Sequence, residues 1–192
     1  MPWALYICFA RYLHLATTGK PTLVHRDIKP DNVLLKDGAA RLGDVGIARE
    51  MATTYARTMV QGTFQFLDPE YESSQRLTTA SDVYSAGIVV FQLLAGADTA
   101  VVTVAYSLTD GLPPAERWPL RWEAQQRTRS PTAVAQGAWP GVLAEGLHAL
   151  GVQCTARAAA DRPNSETARD RVEGLQRERF VRAFASCSDI IV

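Results

Sequence analysis

Hydrophobic spacing divides the chain into helix-like stretches at both ends and a strand- and turn-rich stretch between them. Over residues 3–16, Leu5, Cys8, Phe9, Tyr12, Leu13 and Leu15 fall largely on one helical face. Pro2 suits a first turn, and Gly19-Lys20-Pro21 a stop. Val33-Leu34-Leu35 and Ala40-Arg41-Leu42 flank Lys36-Asp37-Gly38-Ala39, which predicts a short hairpin with an Asp-Gly turn. Residues 47–62 are polar, Thr-rich and aperiodic, so a surface loop is expected. From Val83 to Gly96 the chain is apolar nearly all round, as in a buried helix; Ser81 is the expected N-cap and Gly96 the stop. Prolines 113, 114, 119 and 131 interrupt residues 97–137, which receive only a loose assignment. Helical spacing returns from Pro140 to Cys154, with Leu143, Leu147, Leu150 and Cys154 on one face. Asp161-Arg162-Pro163 reads as a turn. Asn164 or Ser165 then caps a last amphipathic helix to about Phe184, and the tail from Ser186 carries no pattern.

Composition narrows the class. The 192 residues suffice for one domain with a real core, and 47% are hydrophobic, which is globular rather than disordered. Lys plus Arg (20) balances Asp plus Glu (20), so neither nucleic acid nor an anionic membrane is expected as the main partner. Cys8, Cys154 and Cys187 lie far apart with no Cys-x-x-Cys pair, which fits a reducing compartment better than a zinc site or disulfide framework. The apolar run Trp3–Ala10 is too short to span a bilayer and lacks a basic leader, so a cytoplasmic protein with no membrane span is expected. His14 and His148 sit on helical segments as packing or surface residues. The arginines 117, 121, 127 and 129 read as a solvated face.

The candidate chemistry is concentrated in His25-Arg26-Asp27-Ile28-Lys29-Pro30-Asp31-Asn32, followed by Asp44-Val45-Gly46. Phosphoryl transfer from ATP needs a carboxylate at the substrate hydroxyl and a cation against the transferred phosphate. It also needs an amide and a carboxylate to hold magnesium. These segments resemble the catalytic and metal-binding loops of eukaryotic protein kinases. The resemblance is an ordered series: YLH at 12–14, VHRDIKPDNVLL at 24–35, GDVGIAR at 43–49, GTFQFLDPEY at 62–71, SDVYSAGIVVFQLLAG at 81–96 and DRP at 161–163. Each piece alone is weak; their order and distances are specific. The LDPEY and SDVYS forms are most similar to plant receptor-like and receptor-like cytoplasmic kinases.

The resemblance implies a mainly α (α+β) fold: a kinase C-terminal lobe, helical, with a small β-hairpin beside the catalytic loop. Residues 1–184 would form the domain and 185–192 a tail. It implies that Asp27 accepts or orients the substrate hydroxyl proton, that Lys29 approaches the γ-phosphate as in Ser/Thr-directed kinases, and that Asn32 and Asp44 hold Mg²⁺. Thr63 would steady the Asp27–Lys29 pair, and Leu34 would floor the adenine of ATP. His25 and Asp82 resemble a pair locking the loop to the central helix. Glu70 and Arg162 resemble a buried ion pair, whose rupture costs roughly 3–5 kcal/mol. Arg26 resembles an arginine that receives a phosphate on the activation segment, where Thr53, Thr54, Tyr55 and Thr58 are candidate acceptors.

The pattern also departs from the family. Val45 replaces a phenylalanine that couples the upper lobe to the metal site, and Gln65-Phe66 stands where Gly-Tyr is common. Before residue 25 there is neither a Gly-rich phosphate loop nor a strand lysine with a glutamate partner; the sole earlier lysine is Lys20. A lower lobe alone is therefore expected, with Leu34 and Val45 on an exposed apolar face open to an upper lobe or a partner protein. Two functions follow. One is a truncated Ser/Thr kinase domain using ATP and Mg²⁺ on a protein substrate. The other is an inactive kinase-like binding or scaffold module.

Overall fold

The computed structural model describes residues 22–36, 39–51, 54–63, 66–95 and 141–188. The expected helix over 3–16, the Asp37-Gly38 turn, Thr53, Gln65, Gly96 and the 97–137 stretch lie outside them.

Four helices carry the described part of the fold: α1 (Pro69–Ser74), α2 (Thr79–Ala95), α3 (Gly141–Cys154) and α4 (Ser165–Ser188). The all-round apolar pattern of α2 has the expected consequence, since every residue from Ser81 to Phe91 is buried. Its inner face packs Val83 and Val90 against Leu143, Ala144, Leu147, Leu150 and Cys154 of α3, and against Ala168 and Val172 of α4. Close approach needs Gly87, where a Cβ would come within 2.7 Å of Cys154 Cβ and Thr155 Cγ2. The His148 ring packs 5.6 Å from that of Phe91. Asn164 caps α4, its Oδ1 accepting the Thr167 N–H at 2.7 Å. The helix then runs past the expected end near Phe184 to Ser188.

Ser81 is not the N-cap of α2. The helix begins at Thr79, and the Ser81 hydroxyl reaches back to accept the Thr78 N–H at 3.4 Å. Serine at the third helical position thus supplies the returning half of a capping box.

The strands are short and paired locally. β2 (Val33–Lys36) and β3 (Ala39–Leu42) form the expected antiparallel hairpin, with Val33 opposite Leu42. The 47–62 region is not a plain loop. Its β4 (Arg49–Met51) pairs with β1 (Thr22–Val24), and its β5 (Ala56–Arg57) pairs with β6 (Arg76–Leu77). These pieces are too short for a period-2 signal, and long-range partners hold them. Val24, Met51, Tyr71 and Leu77 form a small core beneath.

A third cluster positions the chemistry. Ile28 is fully buried with Phe66, Tyr84, Ile88, Val89 and Phe91, which nails the middle of loop 25–29 to α2. Burial of one such side chain contributes about 1.5–3 kcal/mol.

Candidate active site

Residues 25–32 cross the N-terminal part of α2 in an irregular path, and two contacts explain how that path is held. The Asp82 carboxylate, 1% exposed, accepts the backbone N–H of His25 at 2.7 Å and of Arg26 at 2.9 Å. Arg26 itself sits at φ 74°, a left-handed conformation costly for a residue with a Cβ. The His25 ring continues the frame. Its Nε2 donates to the Gly43 carbonyl at 2.9 Å, and its Nδ1 accepts the Asp27 N–H at 3.3 Å, a pairing that selects the neutral Nε2–H tautomer. The expected His25–Asp82 link therefore runs through backbone N–H groups.

This frame gathers four sequence-expected side chains. Lys29 Nζ lies 2.8 Å from Asp27 Oδ2 and donates to Thr63 Oγ1 at 2.9 Å. Thr63 donates to Asp27 Oδ1 twice, from its hydroxyl at 2.7 Å and from its backbone N–H at 2.9 Å. Asn32 Nδ2 donates to the Asp27 carbonyl at 2.8 Å and to Asp27 Oδ2 at 3.2 Å. The Asn32 side chain is lodged in the 3₁₀ turn Pro30–Asn32, where Pro30 fits the first position.

The charge state follows from these contacts. Burial alone would raise the Asp27 carboxyl, but the hydrogen bonds from Lys29 and Thr63 outweigh it and hold the group below its ordinary value. Lys29 is held above its ordinary value, first by the Asp27 hydrogen bond, with the charges of Asp27, Asp31 and Asp44 adding to it against desolvation. Asp27 is thus a carboxylate and Lys29 an ammonium at neutral pH.

Asp44 follows β3. Gly43 donates its N–H to the Asn32 carbonyl at 2.8 Å while accepting from His25, so the residue before Asp44 is tied to the same loop. Asp44 is exposed and takes φ 55°, a left-handed position that aspartate tolerates better than most residues. Leu34 stands beside Gly43 on β2, 59% exposed, and Val45 is 61% exposed.

The donor set suits a hard divalent cation. Asn32 uses its amide nitrogen toward Asp27, leaving Oδ1 as the oxygen that the loop does not engage among the described residues. No cluster of three or more His, Cys, Asp or Glu occurs among the described residues. One amide and one carboxylate oxygen are what Mg²⁺ takes from a protein when phosphates and water complete its octahedron.

Three features of this region were not legible in advance. Gly62 takes φ +127°, and a Cβ there would lie 2.5 Å from the Arg26 carbonyl, so glycine alone lets Thr63 reach Asp27. The buried partner of Arg162 is Asp68, at 2.8 Å, and not Glu70. Glu70 instead accepts the Ala159 N–H. Arg162 also donates to the Ala156, Ala80 and Arg157 carbonyls and lies over the Tyr84 ring. Asp68 was the hidden choice because it doubles as the N-cap of α1, accepting the Glu70 N–H at 2.9 Å. Tyr71, the last residue of the LDPEY motif and given no role by it, bonds to both Arg26 and Met59.

Comparison with known proteins identifies the family. The protein kinase domain profile matches residues 9–108. The chain belongs to the protein kinase domain family. Among its relatives are the receptor-like protein kinase FERONIA of Arabidopsis thaliana, 45% identical over 103 residues (49% of this chain, 12% of the relative), and HERK 1 of the same plant, 33% identical over 171 residues (83% and 20%). The LRR receptor-like serine/threonine-protein kinase ERL2 is 51% identical over 89 residues (44% and 9%). The chain thus spans a fifth or less of the length of these relatives. No helix among the described residues is long and apolar enough to cross a membrane.

Proposed function

We propose that this kinase domain transfers the γ-phosphoryl group of ATP to serine or threonine hydroxyls of a protein, with Asp27 as the orienting base. The observation carrying this reading is the three-way contact of Asp27, Lys29 and Thr63. The substrate hydroxyl would approach the Asp27 carboxylate, which lines up an oxygen lone pair with the γ-phosphorus and takes the proton as the new O–P bond forms. The bond from phosphorus to the β,γ-bridging oxygen breaks, and ADP leaves. A carboxylate held below its ordinary pKa is a weak base. That suits a loose transition state, in which little negative charge is needed on the attacking oxygen before bond formation. Lys29 offsets charge on the moving phosphoryl group while keeping Asp27 ionised. Asn32 and Asp44 are the residues that would hold Mg²⁺, which when bound neutralises the phosphate oxygens. Leu34 offers an apolar surface to the adenine.

The test is transfer of label from γ-labelled ATP to a Ser/Thr-rich acceptor protein by the purified chain. Label is expected with the native chain, with Asp27→Asn lower by about 10²–10⁴-fold. Equal labelling by the two proteins would refute the role of Asp27.

The exposure of Leu34 and Val45 favours a second reading, a kinase-like module that binds a partner through this apolar face. Under it, partner binding survives Asp27→Asn, and the native chain transfers no label.

A further inference from the structure

Arg26 lies in the position from which the sequence implies capture of an activation-segment phosphate. In the structure its guanidinium is already engaged by unmodified groups. Nη1 donates to the Ile47 carbonyl at 3.2 Å. Nη2 donates to the Met59 carbonyl at 2.8 Å, to the Tyr71 hydroxyl at 3.0 Å and to Thr58 Oγ1 at 3.4 Å. The Tyr71 hydroxyl in turn donates to the same Met59 carbonyl at 2.8 Å. Arg26, Tyr71 and Met59 thus close a triangle in which one carbonyl receives two donors and the phenol both accepts and donates.

The three corners belong to separate parts of the fold. Arg26 adjoins Asp27. Met59 precedes the Gly62–Thr63 pair that contacts Asp27. Tyr71, 1% exposed, sits on α1, whose N-cap Asp68 is pinned by Arg162. We propose that Tyr71 is a positioning residue: its hydroxyl latches residues 58–63 onto the Asp27 loop without any phosphate on that segment. The inference rests on Asp27 as the reacting base for its relevance to turnover, but the latch itself is a matter of backbone order. A buried phenol bridging a cation and a carbonyl has a single geometry available, because moving either partner leaves a polar group unpaired. The ring keeps its place through Val24, Met51 and Leu77 regardless of the hydroxyl, so the latch and the core contact are separable.

Amide hydrogen exchange on the full chain tests this, using phosphatase-treated native protein and Tyr71→Phe. Native protection at residues 58–63 is expected to be the same before and after phosphatase. In Tyr71→Phe, exchange at 58–63 is expected to rise about tenfold while the amides of Val83–Phe91 stay unchanged, the size of one ordinary net hydrogen bond. Loss of protection on phosphatase treatment would overturn the proposal, as would unchanged exchange at 58–63 in Tyr71→Phe or an equal rise in α2. Should Tyr71→Phe not fold, Arg26→Ala reads the same latch from its other corner. It is expected to loosen 58–63 by a similar factor with α2 intact, and a segment as protected as in the native chain would overturn the proposal. Failure of the phosphotransfer assay with a tight segment would count against the reaction and not against the latch.

Discussion

Arg162 and Asp68 form a 2.8 Å ion pair with the arginine side chain wholly buried, 94 residues apart in sequence. The pair joins the turn before α4 to the cap of α1, and through α1 to the segment that ends at Thr63. Removing one partner leaves the other charge buried. Asp68→Ala is therefore expected to cost about 3–5 kcal/mol in urea unfolding. Glu70→Gln, which keeps an oxygen to accept the Ala159 N–H, should stay within about 1 kcal/mol. The reverse ranking would restore Glu70 as the anchor.

Gly62→Ala places a Cβ at φ +127° against the Arg26 carbonyl. A cost of about 1–3 kcal/mol is expected. The Thr63 amide, bonded to Asp27 in the native chain, should lose its exchange protection. A variant of native stability with Thr63 still protected would show that the turn can adjust.

The acid side of the stability profile should carry the mark of Asp27. Its carboxyl is held below the ordinary aspartate range of about 3.9. Stability from that ion is present above the unfolded value and lost as pH falls through the lower folded one. Lys29 acts oppositely: its share is present below about 10.4 and lost as pH rises through the raised folded value. Denaturant midpoints measured from pH 2 to 6 should fall less steeply on the acid side in Asp27→Asn than in the native chain. Parallel curves would remove Asp27 from the acid response.

Sequence reading reached those parts of the fold where local chemistry decides. The all-round apolar run of α2, the apolar face of α3 and the turn signal of the 33–42 hairpin are written in the local sequence, and the Asp27–Lys29–Asn32 spacing brings its groups together along one short loop. What escaped it depends on distant partners. β4 and β5 are two or three residues each and exist because β1 and β6 complete them. Asp68 and Glu70 are both acidic and both near a helix start, so only tertiary position tells which one Arg162 meets. Tyr71 closes the LDPEY motif without a role of its own, since nothing local reveals where a buried hydroxyl points.

Leu34 and Val45 give a surface prediction. At 59% and 61% exposure they should bind a hydrophobic dye and favour self-association. The double variant Leu34→Ser, Val45→Ser should cut dye fluorescence severalfold with the unfolding midpoint unchanged. Equal dye signal would place the apolar surface elsewhere.

The proposal that Asp27, Asn32 and Asp44 serve one phosphate chain is tested most directly by titrating the purified chain with ATP, with and without Mg²⁺, beside Asp44→Ala. Saturable binding that requires Mg²⁺ and weakens at least about tenfold in Asp44→Ala is expected. Equal affinity in the two proteins, or no binding by the native chain at any Mg²⁺ concentration, would contradict it.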